Sequence, residues 1–409
     1  MTQLIAHMMR RIILALALLT AVSCHPPEVQ YSWDKLDYNF PNESMRAAYL
    51  ASGDFVQKDN LPLGVSVWRD KMFITVPRWK KGVPANLNYI SMSSATDKSP
   101  KLTPYPSWDA NDLHSSSDDV IISIFRTRVD ACDRLWGVDT GIDDILGETK
   151  AVRTPRIIVI DLKTDQIIRS YTLKDSDQKA DSFFADLAID VDKDACDDAH
   201  AYLSDLGGFG LVVYSWAQNN SWRFHHNYFH FDPLNGDFNV TGINFHWTDG
   251  VFGLAVSPKR PDGSKTLYFH ALSAIREFSV PTSVLKNESL ASAENYYLFR
   301  MEGEKGPLTQ GTSSAIDLET GIVYFSQTNR HGIACWDTNV PLTPSTFHLI
   351  TQDEEKLAFP NDITIDPAGK KLYTLMSNVP KLMYARLDEN NKYYVYYQSL
   401  DTVAHHCKV

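Results

Sequence analysis

The chain has 409 residues and a formal net charge of −11, and its length allows two or three ordinary domains or one large repetitive domain. Its residues are 44% hydrophobic and 22% charged, with 19 Tyr, 19 Phe and 9 Trp, which is typical of a globular protein with a large core. The acidic balance argues against nucleic acid and anionic membranes as partners, because both need a basic surface. We therefore expect no nucleic acid and no membrane among its partners.

The first 24 residues have the pattern of a secretory signal peptide. Arg10 and Arg11 precede an apolar run from Ile12 to Val22, and the small residue Ser23 follows. A basic start, a short apolar stretch and a small-residue exit describe a cleaved leader. The run is shorter than the about 20 apolar residues that a membrane-spanning helix needs. We predict a signal peptide at 1–24 and a secreted, extracellular protein with a single domain at 25–409.

Short apolar strands recur along the rest of the chain, and long amphipathic helical patterns are lacking. Two early units fit this description loosely: Gly64–Val67 with Lys71–Thr75, and Val120–Phe125 with Leu135–Val138 and Pro155–Asp161. Four later units start with a small apolar strand, near Asp186, Gly253, Ser314 and Asp362. Each continues into a Tyr-rich strand, near Ala201, Thr266, Ile322 and Lys371.

Strand, turn, aromatic strand, turn and strand at a loose period is the pattern of a propeller blade. The first strand of each unit is small because inner strands crowd around a narrow axis, and the aromatic strands fill the wedge between diverging blades. We predict an all-β fold, a six-bladed β-propeller, in preference to an irregular sandwich array. Because open terminal strands promote aggregation, we expect the segment Tyr31–Phe55 to add a strand to the final blade.

Four cysteines remain once Cys24 is removed or left at the new terminus: Cys132, Cys196, Cys335 and Cys407. An even number in an exported chain suggests two disulfides, for which three pairings are possible. We favour the sequential pairing, 132 with 196 and 335 with 407, which would tie the end of the chain to the fifth blade. No two cysteines have the C-x2-C spacing of a zinc site.

Asn-x-Ser/Thr triplets predict N-glycosylation at four positions, each with polar or turn-like neighbours: Asn42, Asn219, Asn239 and Asn287. Such triplets also arise by chance, so each is weak evidence alone.

Several long motifs, in order, resemble the insect yellow / major royal jelly protein family over nearly all of the chain after the leader. They are Leu61–Trp68, Ile74–Trp79 with Gly82–Pro84, Cys132–Gly141, Asp249–Pro258 and Phe359–Asp362. The resemblance implies a six-bladed propeller, export and two disulfides. It also implies a role among small aromatic amines and catechols, because members of this family are pigmentation factors, dopachrome-converting enzymes, food proteins or salivary amine binders.

The first functional hypothesis is a binding module for a catechol, indole or biogenic amine in melanin and cuticle chemistry. Propeller ligands usually sit at one mouth of the central channel, near the residues that lead into each inner strand. The predicted ligand-binding residues are therefore Asp119, Asp186, Phe252, Ser313, Phe359, Asn361 and Asp362, with Phe183 and Phe184 as further stacking candidates. Carboxylates suit an ammonium group, and the phenyl rings offer stacking and cation–π attraction. Only Asn361 is carried over from the family motif.

The second reading is an enzyme, a dopachrome isomerase that needs a base and a polar clamp, with catalytic residues unknown. No hydrolase, protease or nucleotide-binding signature is present, and we predict no cofactor. The third is a structural or nutritive protein. We predict no metal site, because Asp190, Asp192 and Asp194 begin like a calcium loop, but Ala195 and Ala201 occupy positions that need Gly and Glu.

Overall fold

The computed structural model describes residues 26–291, 293–385 and 391–408, so the predicted signal peptide at 1–24 lies outside the described residues. Within these ranges the chain forms six four-stranded antiparallel sheets. The inner strands lie beside one another in a closed cycle. The predicted six-bladed β-propeller is therefore confirmed.

The strands of the first half are β1 (Glu28–Trp33), β2 (Val65–Trp68), β3 (Lys71–Thr75), β4 (Leu87–Ser91), β5 (Thr103–Pro104), β6 (Ile124–Val129), β7 (Arg134–Asp139), β8 (Ile142–Asp143), β9 (Lys150–Ala151), β10 (Arg156–Asp161), β11 (Gln166–Thr172), β12 (Phe184–Asp190), β13 (His200–Asp205), β14 (Gly210–Ser215) and β15 (Asn220–His225). Those of the second half are β16 (Asp237–Val240), β17 (Ile243–His246), β18 (Val251–Val256), β19 (Thr266–Ala271), β20 (Arg276–Pro281), β21 (Arg300–Glu304), β22 (Ser314–Ile316), β23 (Ile322–Gln327), β24 (Gly332–Asp337), β25 (His348–Gln352), β26 (Pro360–Asp366), β27 (Lys371–Met376) and β28 (Tyr393–Ser399).

The α-helices are α1 (Glu43–Ser52), α2 (Thr282–Leu285), α3 (Val379–Tyr384) and α4 (Leu400–Cys407). Short 3-10 helices are Gln57–Asp59, Asp109–Asn111, Asp175–Asp177, Cys196–Asp198, Asn227–Phe229, Glu288–Ala291 and Ala293–Leu298. No helix within the described ranges is long and apolar enough to cross a membrane.

Blades I to VI have the strand orders β2-β3-β4-β5, β6-β7-β10-β11, β12-β13-β14-β15, β18-β19-β20-β21, β22-β23-β24-β25 and β26-β27-β28-β1. Every residue of β13 and β19 is buried, because each blade packs between two neighbours. Aromatic side chains fill the wedges, as predicted: Tyr268 of blade IV meets Trp336 of blade V edge-on, with ring centroids 5.5 Å apart.

One predicted strand begins later than expected. The sequence places a strand at Val120–Phe125, but β6 starts at Ile124. The reason is Asp139, whose carboxylate accepts hydrogen bonds from the amides of Ile122, at 3.1 Å, and Ser123, at 2.8 Å. These two amides are therefore bonded to a side chain rather than to a neighbouring strand.

The ring is closed by both ends of the chain. β1 pairs antiparallel with β28, and Trp33 lies opposite Tyr393, so a segment before the first blade completes the last one. This strand covers only the start of the predicted Tyr31–Phe55 segment, and α1 occupies part of the remainder.

Both predicted disulfides are present in the sequential pairing, Cys132 with Cys196 and Cys335 with Cys407, each with a Cα–Cα distance of 5.9 Å. The second bond fastens α4 to β24. The four predicted glycosylation asparagines are exposed, and their occupancy stays a prediction.

Candidate functional site

Four charged side chains, three of them buried and Arg128 half-buried, form a cluster between the inner strands of several blades. Arg126 and Arg128 are two residues apart on β6, so both side chains point to one face of the strand. Arg126 Nη1 is 3.1 Å from Asp186 Oδ2, and Arg128 Nη2 is 2.7 Å from Asp186 Oδ1. Arg128 also donates to both carboxylate oxygens of Asp362, at 3.1 and 3.2 Å. We call these four residues the channel plug.

The channel plug is electrically balanced and joins several blades. Asp362 accepts further hydrogen bonds from Val65 N, at 3.0 Å, and Ser313 Oγ, at 2.9 Å. Burial lowers the pKa of Arg128, but attraction from the Asp186 and Asp362 carboxylates outweighs it, and the net shift is upward. Such a group stays charged and paired at any physiological pH.

A cavity of about 420 Å³ lies beside the channel plug, where the chain enters the inner strands. Its walls are largely apolar, and the aromatic residues that line it are Trp79, Phe125, Phe183, Trp247, Phe252, Phe359 and Tyr384. The polar lining residues are Arg126, Asp249, Thr312 and Asn361. We call this space the aromatic cavity. Its size falls within the range of small-molecule sites, about 300–1,000 Å³. Its mostly apolar lining is also typical of such sites.

The structure brings some of the predicted ligand-binding residues to this cavity and leaves others elsewhere. Phe252, Phe359 and Asn361 line it, as does Phe183. Asp186, Asp362 and Ser313 do not line it, because they belong to the channel plug or bond to it. Asp119 is exposed on the loop before β6, and Phe184 is buried between blades II and III.

Asp186 and Asp362 are not available to bind a ligand cation. The sequence suggests that their carboxylates could attract an ammonium group, but both are at most 1% exposed and already paired with arginine. Their negative charges are therefore used inside the protein. A ligand cation would have to be held by another group.

Arg126 connects the channel plug to the cavity. Its guanidinium carbon lies 4.2 Å from the centroid of the Phe252 ring, so a cation–π contact occupies one face of that ring. The same guanidinium donates to the carbonyl oxygens of Thr312, at 2.8 Å, and Asn361. The floor of the cavity is thus fixed by a buried cation.

Asn361 is held in a defined orientation. Its side-chain nitrogen donates to the carbonyl oxygen of Phe359, at 3.2 Å, and to the Ser377 hydroxyl. The side chain is 2% exposed. These two contacts fix which end of the amide is already engaged.

Asp249, which is not among the ligand-binding residues predicted from the sequence, is the one carboxylate among the described residues that line the aromatic cavity. It lies between Trp247 and the start of β18. Burial raises its pKa to about 6. The sequence offers only a weak signal for it: Asp249 begins the motif Asp249–Pro258, with Trp247 before it and Phe252 after it.

Two aromatic side chains form part of the cavity rim. Trp247 Nε1 donates to the hydroxyl of Tyr384 on α3, and the Tyr384 ring stacks on Phe245 of β17 with centroids 5.1 Å apart. The hairpin of β16 and β17 is therefore joined to α3 beside the opening.

A second and larger cavity, about 640 Å³, lies where the inner strands end, beside α4. Arg128, Leu187, Leu254, Ile363 and Leu400 are among its lining residues. It has no aromatic side chain among its described lining residues, so it lacks the stacking surfaces of the first cavity. We therefore place the candidate site in the aromatic cavity.

The acidic run at Asp190, Asp192 and Asp194 is engaged by lysine rather than arranged as a calcium loop. Lys265 Nζ is 2.9 Å from Asp190 Oδ1 and 2.6 Å from Asp192 Oδ1. Across the described residues there is no group of three or more His, Cys, Asp or Glu side chains that could hold a metal ion.

Comparison with known proteins gives consistent matches. A family model described as Major royal jelly protein matches residues 122–406. Proteins named Protein yellow match this chain with 40% identity over 380 residues in Drosophila yakuba and 41% over 362 residues in Drosophila melanogaster. These matches cover 91% and 88% of this chain, and 69% and 66% of the relatives. The chain thus spans about two thirds of the length of these relatives.

Among solved structures, a luciferin-regenerating enzyme has a TM-score of 0.47 with 12% identity, covering 86% of this chain and 93% of that chain. A virginiamycin B lyase from Staphylococcus aureus has a TM-score of 0.42 with 13% identity, covering 84% of this chain and 97% of that chain.

Proposed function

Because this chain belongs to the major royal jelly protein family, with relatives named Protein yellow, we propose that it is a secreted protein that binds a small, flat aromatic compound in the aromatic cavity. The compound is a catechol, an indole or a biogenic amine, and the setting is melanin pigmentation or cuticle chemistry. Secretion is supported by the two disulfides, which are typical of oxidising compartments.

The observation that carries this proposal is an aromatic cavity of about 420 Å³ with few polar groups. Aromatic walls favour a flat ring through stacked and edge-on contacts, each worth about 0.5–1.5 kcal/mol beyond area burial. The polar groups then fix the orientation of the ring. Since the amide nitrogen of Asn361 is engaged by Phe359 and Ser377, we assign the amide oxygen as the acceptor for a ligand hydroxyl or amine.

The channel plug makes the cavity a closed-ended site. Its arginines and aspartates pair across the axis, so a ligand that enters at the aromatic mouth meets a polar floor rather than an open channel. A flat ring can then lie against the walls with its polar substituents directed either to the floor or to the rim.

Calorimetric titration of the purified protein with dopamine, tryptamine and 4-methylcatechol at pH 7.5 tests the proposal. We expect saturable binding at one site per chain. Phe183→Ala should weaken binding about tenfold, because one aromatic contact of about 1.4 kcal/mol is removed. Phe231→Ala is the matched control, since Phe231 is equally half-buried but lies outside the aromatic cavity. Equal losses in both variants, or no binding of any probe, would contradict the proposal.

The alternative function is conversion of dopachrome, and Asp249 is the observation that favours it. A general base works best when its pKa is close to the working pH, and burial raises the pKa of Asp249 to about 6. The decay of dopachrome absorbance, followed with and without the protein, separates the two functions. Faster decay that is lost in Asp249→Asn supports the enzyme, whereas binding without faster decay supports the binding protein.

A further inference from the structure

We propose that Asp249 is the specificity-determining residue of the aromatic cavity: it selects a ring that carries an ammonium group without a neighbouring carboxylate. The inference rests on the proposed function and narrows it from flat aromatic compounds to aromatic amines. It also predicts that binding depends on pH.

Asp249 has no cationic partner among the residues that the structure describes. Several buried acids of the chain are paired with arginine: Asp130 with Arg134 at 2.7 Å, Asp205 with Arg223 at 2.7 Å, and Asp139 with Arg156 at 3.4 Å. Asp249 is half-buried and lines the aromatic cavity, burial raises its pKa, and no cation of the described residues forms an ion pair with it. A carboxylate taken from water without a counter-charge is costly, so a cationic ligand would relieve that cost.

The surroundings of the Asp249 carboxylate also favour a cation. Asp249 shares the cavity with Trp247 and Phe252, and aromatic faces attract cations. At the floor, the carboxylates of Asp186 and Asp362 are already paired with Arg126, so they offer no free negative charge to an ammonium group. An ammonium group is therefore favoured near Asp249 and disfavoured beside Arg126. The ring hydroxyls of the same ligand would then face the floor and Asn361.

Asp249 discriminates between related compounds. A neutral catechol leaves the Asp249 carboxylate desolvated and without a counter-charge, so it binds less tightly than an amine. An α-amino acid places a carboxylate next to its ammonium group, and repulsion from Asp249 offsets the attraction. The expected order of affinity is aromatic amine, then neutral catechol, then the parent amino acid.

The affinity of the cavity for an amine depends on pH. Burial raises the pKa of Asp249 to about 6, so the group is mostly charged at pH 7.5 and mostly neutral at pH 5.0. Arg126 of β6 and Tyr384 of α3 are the other ionisable groups among the described lining residues. The affinity for an amine should therefore fall about tenfold from pH 7.5 to pH 5.0.

The test is calorimetric titration of the wild-type protein, Asp249→Asn and Asp119→Asn with dopamine, 4-methylcatechol and 3,4-dihydroxyphenylalanine at both pH values. We expect the wild-type protein to prefer dopamine at least tenfold at pH 7.5 and to lose most of that preference at pH 5.0. Asp249→Asn should bind dopamine and 4-methylcatechol alike, at both pH values. Asp119→Asn is the matched control because Asp119 is exposed and does not line the cavity.

The outcomes separate the inference from the proposed function. If the wild-type protein binds dopamine and 4-methylcatechol equally well, or if Asp249→Asn keeps the preference and its pH dependence, the inference is wrong and the binding function stands. If the wild-type protein binds none of the probes, both are wrong. Should Asp249→Asn fail to fold, the pH dependence of the wild-type protein still decides, since flat affinity for dopamine between the two pH values overturns the inference.

Discussion

Asp249 is half-buried and Asp362 is fully buried, and their surroundings give them opposite effects on stability. Asp362 is 0% exposed and is bonded by Arg128, Val65 and Ser313. Asp249 lies in an aromatic cavity, and burial is what shifts its pKa. The first carboxylate holds blades together, whereas the second costs folding energy that a bound cation would return.

Asp249→Asn should stabilise the unliganded protein above pH 6. Burial raises the pKa of Asp249 from 3.8 to about 6, so the folded state bears the cost of a charged, desolvated carboxylate above pH 6. Below pH 3.8 the group is neutral in both the folded and the unfolded state, and the cost disappears. We expect a gain of about 1–3 kcal/mol in the free energy of unfolding at pH 7.5 and none near pH 3.5. Chemical denaturation at both pH values measures it, and equal stability of the two proteins at pH 7.5 would count against a desolvated charge.

Asp362→Asn should destabilise the protein by about 3–5 kcal/mol, because it leaves a buried arginine charge without compensation. Asp119→Asn, on an exposed side chain, should change the free energy of unfolding by less than about 0.5 kcal/mol. The denaturation midpoints of the two variants give the comparison. A loss below 1 kcal/mol in Asp362→Asn would mean that the channel plug contributes little to holding the blades together.

The channel plug could have been predicted in part from the sequence. Arg126 and Arg128 occupy alternate positions of an otherwise apolar and Thr-containing strand, which places two positive charges on one face. Their partners lie 58 to 236 positions further along the chain, on other blades. Sequence periodicity carries no information about such distant pairing, so Asp186 and Asp362 were assigned to a ligand instead. The isolation of Asp249 is equally invisible without the fold.

The strands themselves were largely predictable, because each blade repeats a local pattern. Inner strands at β12, β18, β22 and β26, and the aromatic strands that follow them, lie at the predicted places. The start of β6 was placed too early, since residues before it bond to the Asp139 side chain. A side chain that captures backbone amides leaves the apolar pattern unchanged, so the pattern alone could not show where the strand begins.

At the level of elements, Trp33 is one of the anchors of β1, beside its pairing with β28. Trp33 is 2% exposed and donates from its indole nitrogen to the carbonyl oxygen of Pro100, at 2.8 Å, which ties β1 to the segment before β5. Trp33→Ala should lower the free energy of unfolding by about 3–5 kcal/mol, the usual cost of removing a buried aromatic side chain.

The control for this variant is Leu50→Ala on α1, a position that is 44% exposed, where we expect a change of less than about 1 kcal/mol. Urea denaturation followed by tryptophan fluorescence serves both variants, with circular dichroism as a second probe because one tryptophan is removed. Similar losses at the two positions would show that β1 is not a principal contributor to the closed ring.

At the level of the whole molecule, the bond between Cys335 and Cys407, which are 72 positions apart, holds α4 against blade V. Replacing both by alanine should lower the free energy of unfolding by about 4 kcal/mol in the chain-entropy model. It should also release α4, whose Leu400 and Val403 are buried in the core of blades V and VI. Limited proteolysis should then cleave near the C-terminus first. An unchanged digestion pattern would show that packing alone holds α4.

The pairing of β1 with β28 joins residues 28–33 to residues 393–397, almost the full length of the chain. A nascent chain can therefore form blades I to V during synthesis, but it cannot complete blade VI until its last segment has been made. Until then the outer edge of that blade has unpaired backbone groups, which are a site for wrong pairing with another chain. Truncation before β28 should thus yield aggregates rather than a smaller soluble protein, because β1 and β27 would then lack the strand that lies between them.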